Sequence, residues 1–225
     1  MERVNFKTMD DVTIVGNWVT APTTLGAVIL LHTMPETRKS WLKFQDALAK
    51  RGLASLAIDL RGHGESLDGP GGFKVDYQRF TDGEHQSSLF DALAAVEWIK
   101  NRGHEIGRIA VAGASIGANL AVQLLREEPQ LKGAALLSAG KNYRGLNAVA
   151  DVAEILPEQS LWITASETDD PDSFKDSQDI LAAAPSTQKE FVPVKDAGHG
   201  TKILENQPAL AETLADWLKQ LIQGG

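Results

Sequence analysis

Short continuous apolar runs alternate along this chain with stretches whose apolar residues recur every three or four positions, and this alternation constrains the fold more than any other feature. The runs fall at 27–31, 53–58, 109–112, 134–137, 161–163 and 191–194, each bounded by Gly or polar residues. Unbroken apolarity over so few residues suits strands buried on both faces, as in a parallel sheet. Between them, Trp41, Phe44 and Leu48, then Leu89, Leu93, Val96 and Ile99, then Leu120, Leu124 and Leu125 mark helical faces. A last one opens at Pro208 and repeats through Leu210, Leu214, Trp217 or Leu218, and Leu221. Ser40 is the expected N-cap of the first of these helices, and Gly52 its stop.

Strands alternating with helices require right-handed crossovers, so the expected architecture is a three-layer α/β domain: a mostly parallel sheet with helices on both faces. Ahead of it, Val4 and Phe6, a turn at Asp10-Asp11, and Val12, Ile14 and Trp18 alternate as an antiparallel hairpin at a sheet edge would. No repeat and no linker long enough to separate two cores interrupts the 225 residues, which are read as a single domain spanning 1–225.

Composition excludes several chemistries. Thirty acidic against 22 basic residues leave a net charge of −8, which gives no attraction to phosphate backbones, so nucleic acid is not an expected partner. With no Cys, disulfides, thiolate metal sites and a cysteine nucleophile are all absent. The N-terminal residues lack the apolar core of a secretory signal, and the longest apolar run, 27–31, is far short of the ~20 residues of a membrane span. Taking Met1 as the native start, a soluble cytoplasmic protein is expected.

The sharpest motif is Gly113-Ala114-Ser115-Ile116-Gly117, directly after the run at 109–112 and at the head of the Leu120 helix. G-x-S-x-G in this context describes a sharp strand-to-helix turn that exposes a serine hydroxyl, with small neighbours so that nothing collides behind it. The pentapeptide alone also fits a glycine-rich turn that only packs helix against sheet. A serine hydroxyl needs a base, usually His oriented by a carboxylate. Of five His, His199 in Ala197-Gly198-His199-Gly200 follows the last apolar run and lies at the same end of the sheet as Ser115. His32 and His63 are placed to brace loops, while His85 and His104 are expected to be solvated. For the carboxylate, Ser166-Glu167-Thr168-Asp169-Asp170-Pro171 follows the run at 161–163; Asp169 is the expected member, with Asp170 the close alternative. The order Ser115, Asp169, His199 puts all three at carboxyl ends of strands, where open α/β sheets gather their functional loops.

These features resemble the α/β-hydrolase superfamily over nearly the whole length. Asp59-Leu60-Arg61-Gly62-His63-Gly64-Glu65-Ser66 is similar to the D-x-R-G-H-G-x-S loop of its esterase, thioesterase and small peptidase-like members. The resemblance implies an α/β-hydrolase fold and an oxyanion hole formed by the backbone N–H of Ile116 and a second N–H, that of Met34, from the loop after the first parallel strand. That loop has His32-Thr33 where the family usually has His-Gly. Only residues 141–160 lie where several members insert a cap, which implies an open site without a cap domain. Tyr143, Met34 and Phe73 are expected as substrate-binding walls.

The resulting expectation is a serine esterase acting on a small-molecule ester or thioester, with no cofactor and no metal. Acyl-thioesterase or small peptidase activity would use the same machinery, and a non-catalytic member would use the pocket only to bind.

Overall fold

The computed structural model describes residues 1–168 and 170–224. In chain order its regular elements are β1 (Glu2–Lys7), β2 (Thr13–Val19), β3 (Gly26–Leu31), α1 (Leu42–Lys50), β4 (Leu53–Ile58), α2 (Asp82–Gln86), α3 (Leu89–Lys100), β5 (Ile109–Ala114), α4 (Ile116–Glu127) and β6 (Gly133–Leu137). There follow β7 (Asn142–Tyr143), β8 (Leu146–Asn147), α5 (Ala148–Val152), β9 (Ser160–Ser166), α6 (Pro171–Ala183), β10 (Lys189–Val194), α7 (Lys202–Asn206) and α8 (Pro208–Gln223).

The main sheet runs β1-β2-β4-β3-β5-β6-β9-β10. β1 pairs antiparallel with β2, and β2 with β4, while every pairing from β4 to β10 is parallel. Strand side chains alternate between two cores. Ala27, Ile29, Leu31, Val111, Leu136 and Ile163 pack under α3, α4, α5 and α6, whereas Val28, Leu30, Ala112, Leu137 and Trp162 pack under α1 and α8. The expected three layers are therefore present, with the antiparallel hairpin on one edge. No helix among the described residues is long and apolar enough to cross a membrane.

Two local expectations are corrected. Ser40 does not cap α1: it lies inside a short 3-10 turn, Arg38–Trp41, whose N-cap is Thr37, and α1 begins after Trp41 without a side-chain cap. The buried indole of Trp41 anchors that entry instead. β10 is not buried on both faces; it is the outer strand opposite the hairpin, part-exposed along its length, and Pro193 is tolerated there because an edge leaves one side of the ladder unused. Gly52 does follow α1, at φ 80°, a conformation that favours glycine.

From β3 the chain moves to β4 on one side, then returns past β3 to β5 on the other. The crevice at the carboxyl ends of β3 and β5 is the reversal point of the sheet, where ligands of open α/β sheets bind.

Candidate active site

The turn from β5 into α4 holds Ser115 at φ 54° and ψ −120°, a backbone state costly for any residue with a Cβ. Its two flanking glycines make the turn possible. A Cβ on Gly113 would stand 2.0 Å from the Gly117 carbonyl oxygen, and one on Gly117 would stand 2.4 Å from the Leu31 oxygen and 2.7 Å from the His32 oxygen. The start of α4 is thus pressed against the end of β3. The Ser115 N–H is tied to the Leu137 carbonyl at 2.8 Å, and the serine is 9% exposed. Ile116 is the first residue of α4, so its N–H has no carbonyl one turn back to bond and is left pointing out of the helix start.

Beside it, the loop after β3 is braced by a buried imidazole. The Leu60 N–H donates to His32 Nε2 at 3.0 Å, which leaves the ring proton on Nδ1, 2.8 Å from the Thr33 carbonyl. Burial, and then the neighbouring His63, push the His32 pKa down to about 3, so the ring is a neutral strut at ordinary pH. The Met34 N–H has no hydrogen-bond partner among the described residues. The Thr33 hydroxyl is buried and also without one.

The D-x-R-G-H-G-x-S segment underlies this loop as a closed set of contacts. Asp59, fully buried, accepts from the Arg38 N–H and the Glu65 N–H, each at 2.8 Å, and pairs with the Arg38 guanidinium. A Cβ on Gly64 would fall 2.1 Å from Asp59 Oδ2. Arg61 is held by Asp91 and Asp10, and Ser66 Oγ donates to the Asp59 carbonyl. His63 is buried, stacks on Tyr77 at 3.8 Å and meets His32 edge-on at 4.9 Å, which is a bracing position.

His199 follows β10 between Gly198 (φ 79°) and Gly200 (φ 60°). Its loop is drawn to the serine by two contacts: the Gly200 N–H donates to Ser138 Oγ at 3.0 Å, and a Cβ on Gly200 would lie only 3.4 Å from those of Ala114 and Thr33. The His199 Nδ1 is hydrogen-bonded to Asp170 Oδ2. The other oxygen of Asp170 caps α6, accepting from the Ser173 N–H at 3.2 Å, so the carboxylate is fixed from both sides. Asp169 lies outside the described residues. The partner found on the imidazole is therefore the alternative that the sequence left open.

Tyr143 stands over this group. Its hydroxyl is 2.8 Å from Ser173 Oγ, and its pKa is raised, first by burial and also by the Asp170 charge, against hydrogen bonding to Ser173 and Ser115. Its ring lies on Gly140, where a Cβ would come within 2.6 Å of it. Asn119, one turn into α4 and fully buried, fixes the segment that carries Tyr143: its Nδ2 donates to the carbonyls of Gly140 at 2.8 Å and Leu146 at 2.9 Å, and its Oδ1 accepts from the Gly140 N–H. Sequence reasoning missed Asn119, although a polar residue on an otherwise apolar helix face is a visible signal. Met34 lines a cleft of about 410 Å³ with Pro35, Tyr77, Gln78, Phe80, His85 and Arg144. Phe73 is not brought to it; it is 78% exposed in the glycine-rich loop. His85, expected at the surface, is instead buried, with Phe80 edge-on to it at 5.3 Å. Among the described residues, no three or more His, Cys, Asp or Glu are grouped as a metal site would need.

Comparison with known proteins agrees with this architecture. Residues 22–184 match the model of a family described as serine aminopeptidase, S33. Among solved structures, the Pyrococcus furiosus esterase Pf2001 superposes with a TM-score of 0.80 at 20% identity, over 98% of this chain and 92% of that one. An esterase domain from a Rhodothermus marinus protein gives 0.76 at 16%, covering 98% and 99%. A 2,6-dihydroxy-pseudo-oxynicotine hydrolase gives 0.76 at 18%, covering 100% and 68%. No curated protein matches the sequence.

Proposed function

Because the chain belongs to the serine aminopeptidase S33 family of α/β hydrolases, we propose that it is a serine hydrolase that cleaves small carboxylic esters through an acyl-enzyme on Ser115. What supports this reading is a strained serine at a helix start, a histidine loop whose Gly200 lies close against Ala114, the residue before that serine, and an imidazole whose Nδ1 is engaged by Asp170. A carboxylate on Nδ1 keeps that proton in place and leaves the Nε2 lone pair to act as base.

In the proposed cycle, Ser115 Oγ attacks the ester carbonyl carbon as His199 Nε2 takes its proton. The carbonyl oxygen becomes an oxyanion, to be received by the N–H groups of Ile116 and Met34. Collapse expels the alkoxide, which takes the proton from His199. Water then attacks the acyl carbon with His199 again as base, releasing the acid and restoring Ser115. Asp170 stabilises the imidazolium that forms in each half, and no cofactor or metal is called for.

The test is hydrolysis of p-nitrophenyl acetate, butyrate and octanoate by the wild type and by Ser115→Ala. Turnover that falls by about 10⁴-fold or more in the variant supports the reading, and equal turnover by the two proteins overturns it. Asp169→Asn and Asp170→Asn made side by side assign the acid: Asp170→Asn is expected to lower kcat by about 10³–10⁴-fold through loss of the correct tautomer. A larger loss from Asp169→Asn would move the role to that residue.

A further inference from the structure

The cleft beyond Met34 contains a cation that ester hydrolysis does not itself use. Met34 of the loop after β3 shares its lining with Tyr77, Phe80, His85 and Arg144, and its 410 Å³ falls in the usual range of ~300–1,000 Å³ for small-molecule sites. Arg144 occupies the turn between β7 and β8 at φ 54°, a left-handed state that Gly or Asn would adopt more cheaply. The turn is held on both shoulders: Asn142 Oδ1 accepts from the Gly145 N–H at 2.8 Å, and Gln86 Nε2 donates to the Arg144 carbonyl at 3.3 Å. Asn119 fixes its base through Gly140 and Leu146.

The acid nearest the Arg144 guanidinium is Asp82, at 3.9 Å, too far for a hydrogen bond, with both side chains more than half exposed. Glu84, the other acid close to His85, is engaged with Thr81 in the cap of α2. Burial and the adjacent Arg144 lower the His85 pKa, so the imidazole adds a neutral polar edge and Arg144 is the cation of the cleft. A planar fork with no hydrogen bond to that neighbouring acid, on a backbone held at both shoulders and lining a part-aromatic cleft, matches a carboxylate.

We propose that this cleft selects esters whose acyl chain ends in a carboxylate, the half-esters of dicarboxylic acids, with Arg144 as the specificity-determining residue. The proposal rests on the Ser115 ester reading for the placement of the carbonyl, with the acyl chain passing Met34 toward Tyr77 and Phe80.

The experiment measures binding, so that it stands apart from turnover. The Ser115→Ala protein is titrated calorimetrically with monomethyl adipate, monomethyl suberate and methyl hexanoate, alone and combined with Arg144→Asn or Arg144→Lys. Asn is chosen because it tolerates the left-handed turn, and an unchanged unfolding midpoint shows that the fold is retained. The better half-ester is expected to bind about tenfold or more tightly than methyl hexanoate, as one charge-assisted contact allows. That preference should collapse toward unity with Asn and persist in part with Lys. Equal affinity within twofold, a preference that survives Arg144→Asn, or no binding by any of the three overturns the proposal. Arg144-dependent binding in a protein whose wild type hydrolyses no ester would sustain the cleft and sink the ester reading. Hydrolysis of p-nitrophenyl butyrate with no half-ester preference would do the reverse.

Discussion

At Ser115 the two glycines answer two different neighbours, Gly113 the helix start and Gly117 the end of β3, so they are not interchangeable spacers. Gly117→Ala has to push α4 off the Leu31 and His32 carbonyls, neither of which is the end of a flexible side chain. We expect a loss of about 3 kcal/mol or more, read as a fall in Tm of roughly 6 °C or greater, together with loss of turnover. Thr33 should behave in the opposite sense. Its hydroxyl is buried without a partner, so Thr33→Val removes a desolvated polar group at nearly constant volume and should raise stability by about 1 kcal/mol. A lower Tm in that variant would show that the hydroxyl is satisfied in solution. The turns that carry Ser115 and His199 were legible because their chemistry is local: Gly on either side and an apolar run before. The carboxylate was not, since Asp169 and Asp170 are adjacent and which one reaches an imidazole 29 residues further on depends on how α6 is capped. The burial of His85 was hidden for a similar reason: Phe80, which packs edge-on to it, comes from a neighbouring loop with no periodic pattern.

Regular elements divide by length in how far the sequence announced them. Strands β3, β4, β5, β6 and β9 carry enough apolar residues to declare themselves, whereas β7 and β8, two residues each, have no period to detect. They exist because Asn119 supplies partners for the backbone around them. Replacing Asn119 by Ala leaves the Gly140 and Leu146 carbonyls and the Gly140 N–H without their bonds in a fully buried position. The expected cost is about 2–4 kcal/mol. Because the released segment carries Tyr143 and Arg144 rather than Ser115, KM should rise by a larger factor than kcat falls. Equal effects on both, or none, would mean that the hairpin is held by its other contacts. The edge strand β10 shows the opposite limit: Phe191, Val192 and Val194 look like a core run, and only the pairing order reveals that no strand among the described residues pairs beyond them.

Over the whole molecule, the loops at the carboxyl ends are tied to the N-terminal hairpin through charge. Arg38 joins Asp59 to Glu65, and Glu65 reaches Arg3 of β1. Hydrogen bonds from Arg38 first and Arg3 second hold the Glu65 pKa down to about 2, so this exposed part of the network persists above the usual carboxylate range and is lost as pH falls toward 2. His32 acts in the same direction. Its folded pKa of about 3 lies below the ~6.5 of an unfolded chain, so between these values the unfolded state binds the extra proton and stability declines as pH falls. The slope should approach about 1.4 kcal/mol per pH unit, and His32→Gln should flatten it in denaturant titrations between pH 4 and 7. The sheet, finally, distributes the reaction unequally. The proposed nucleophile grows from a central strand, whereas the proposed base follows β10, which among the described residues is paired on one side only. Edges loosen before centres do. On warming, catalysis should therefore fail several degrees below the global melt and return on cooling, so that turnover works as a thermometer for the rim of the molecule while the body of the sheet is still intact.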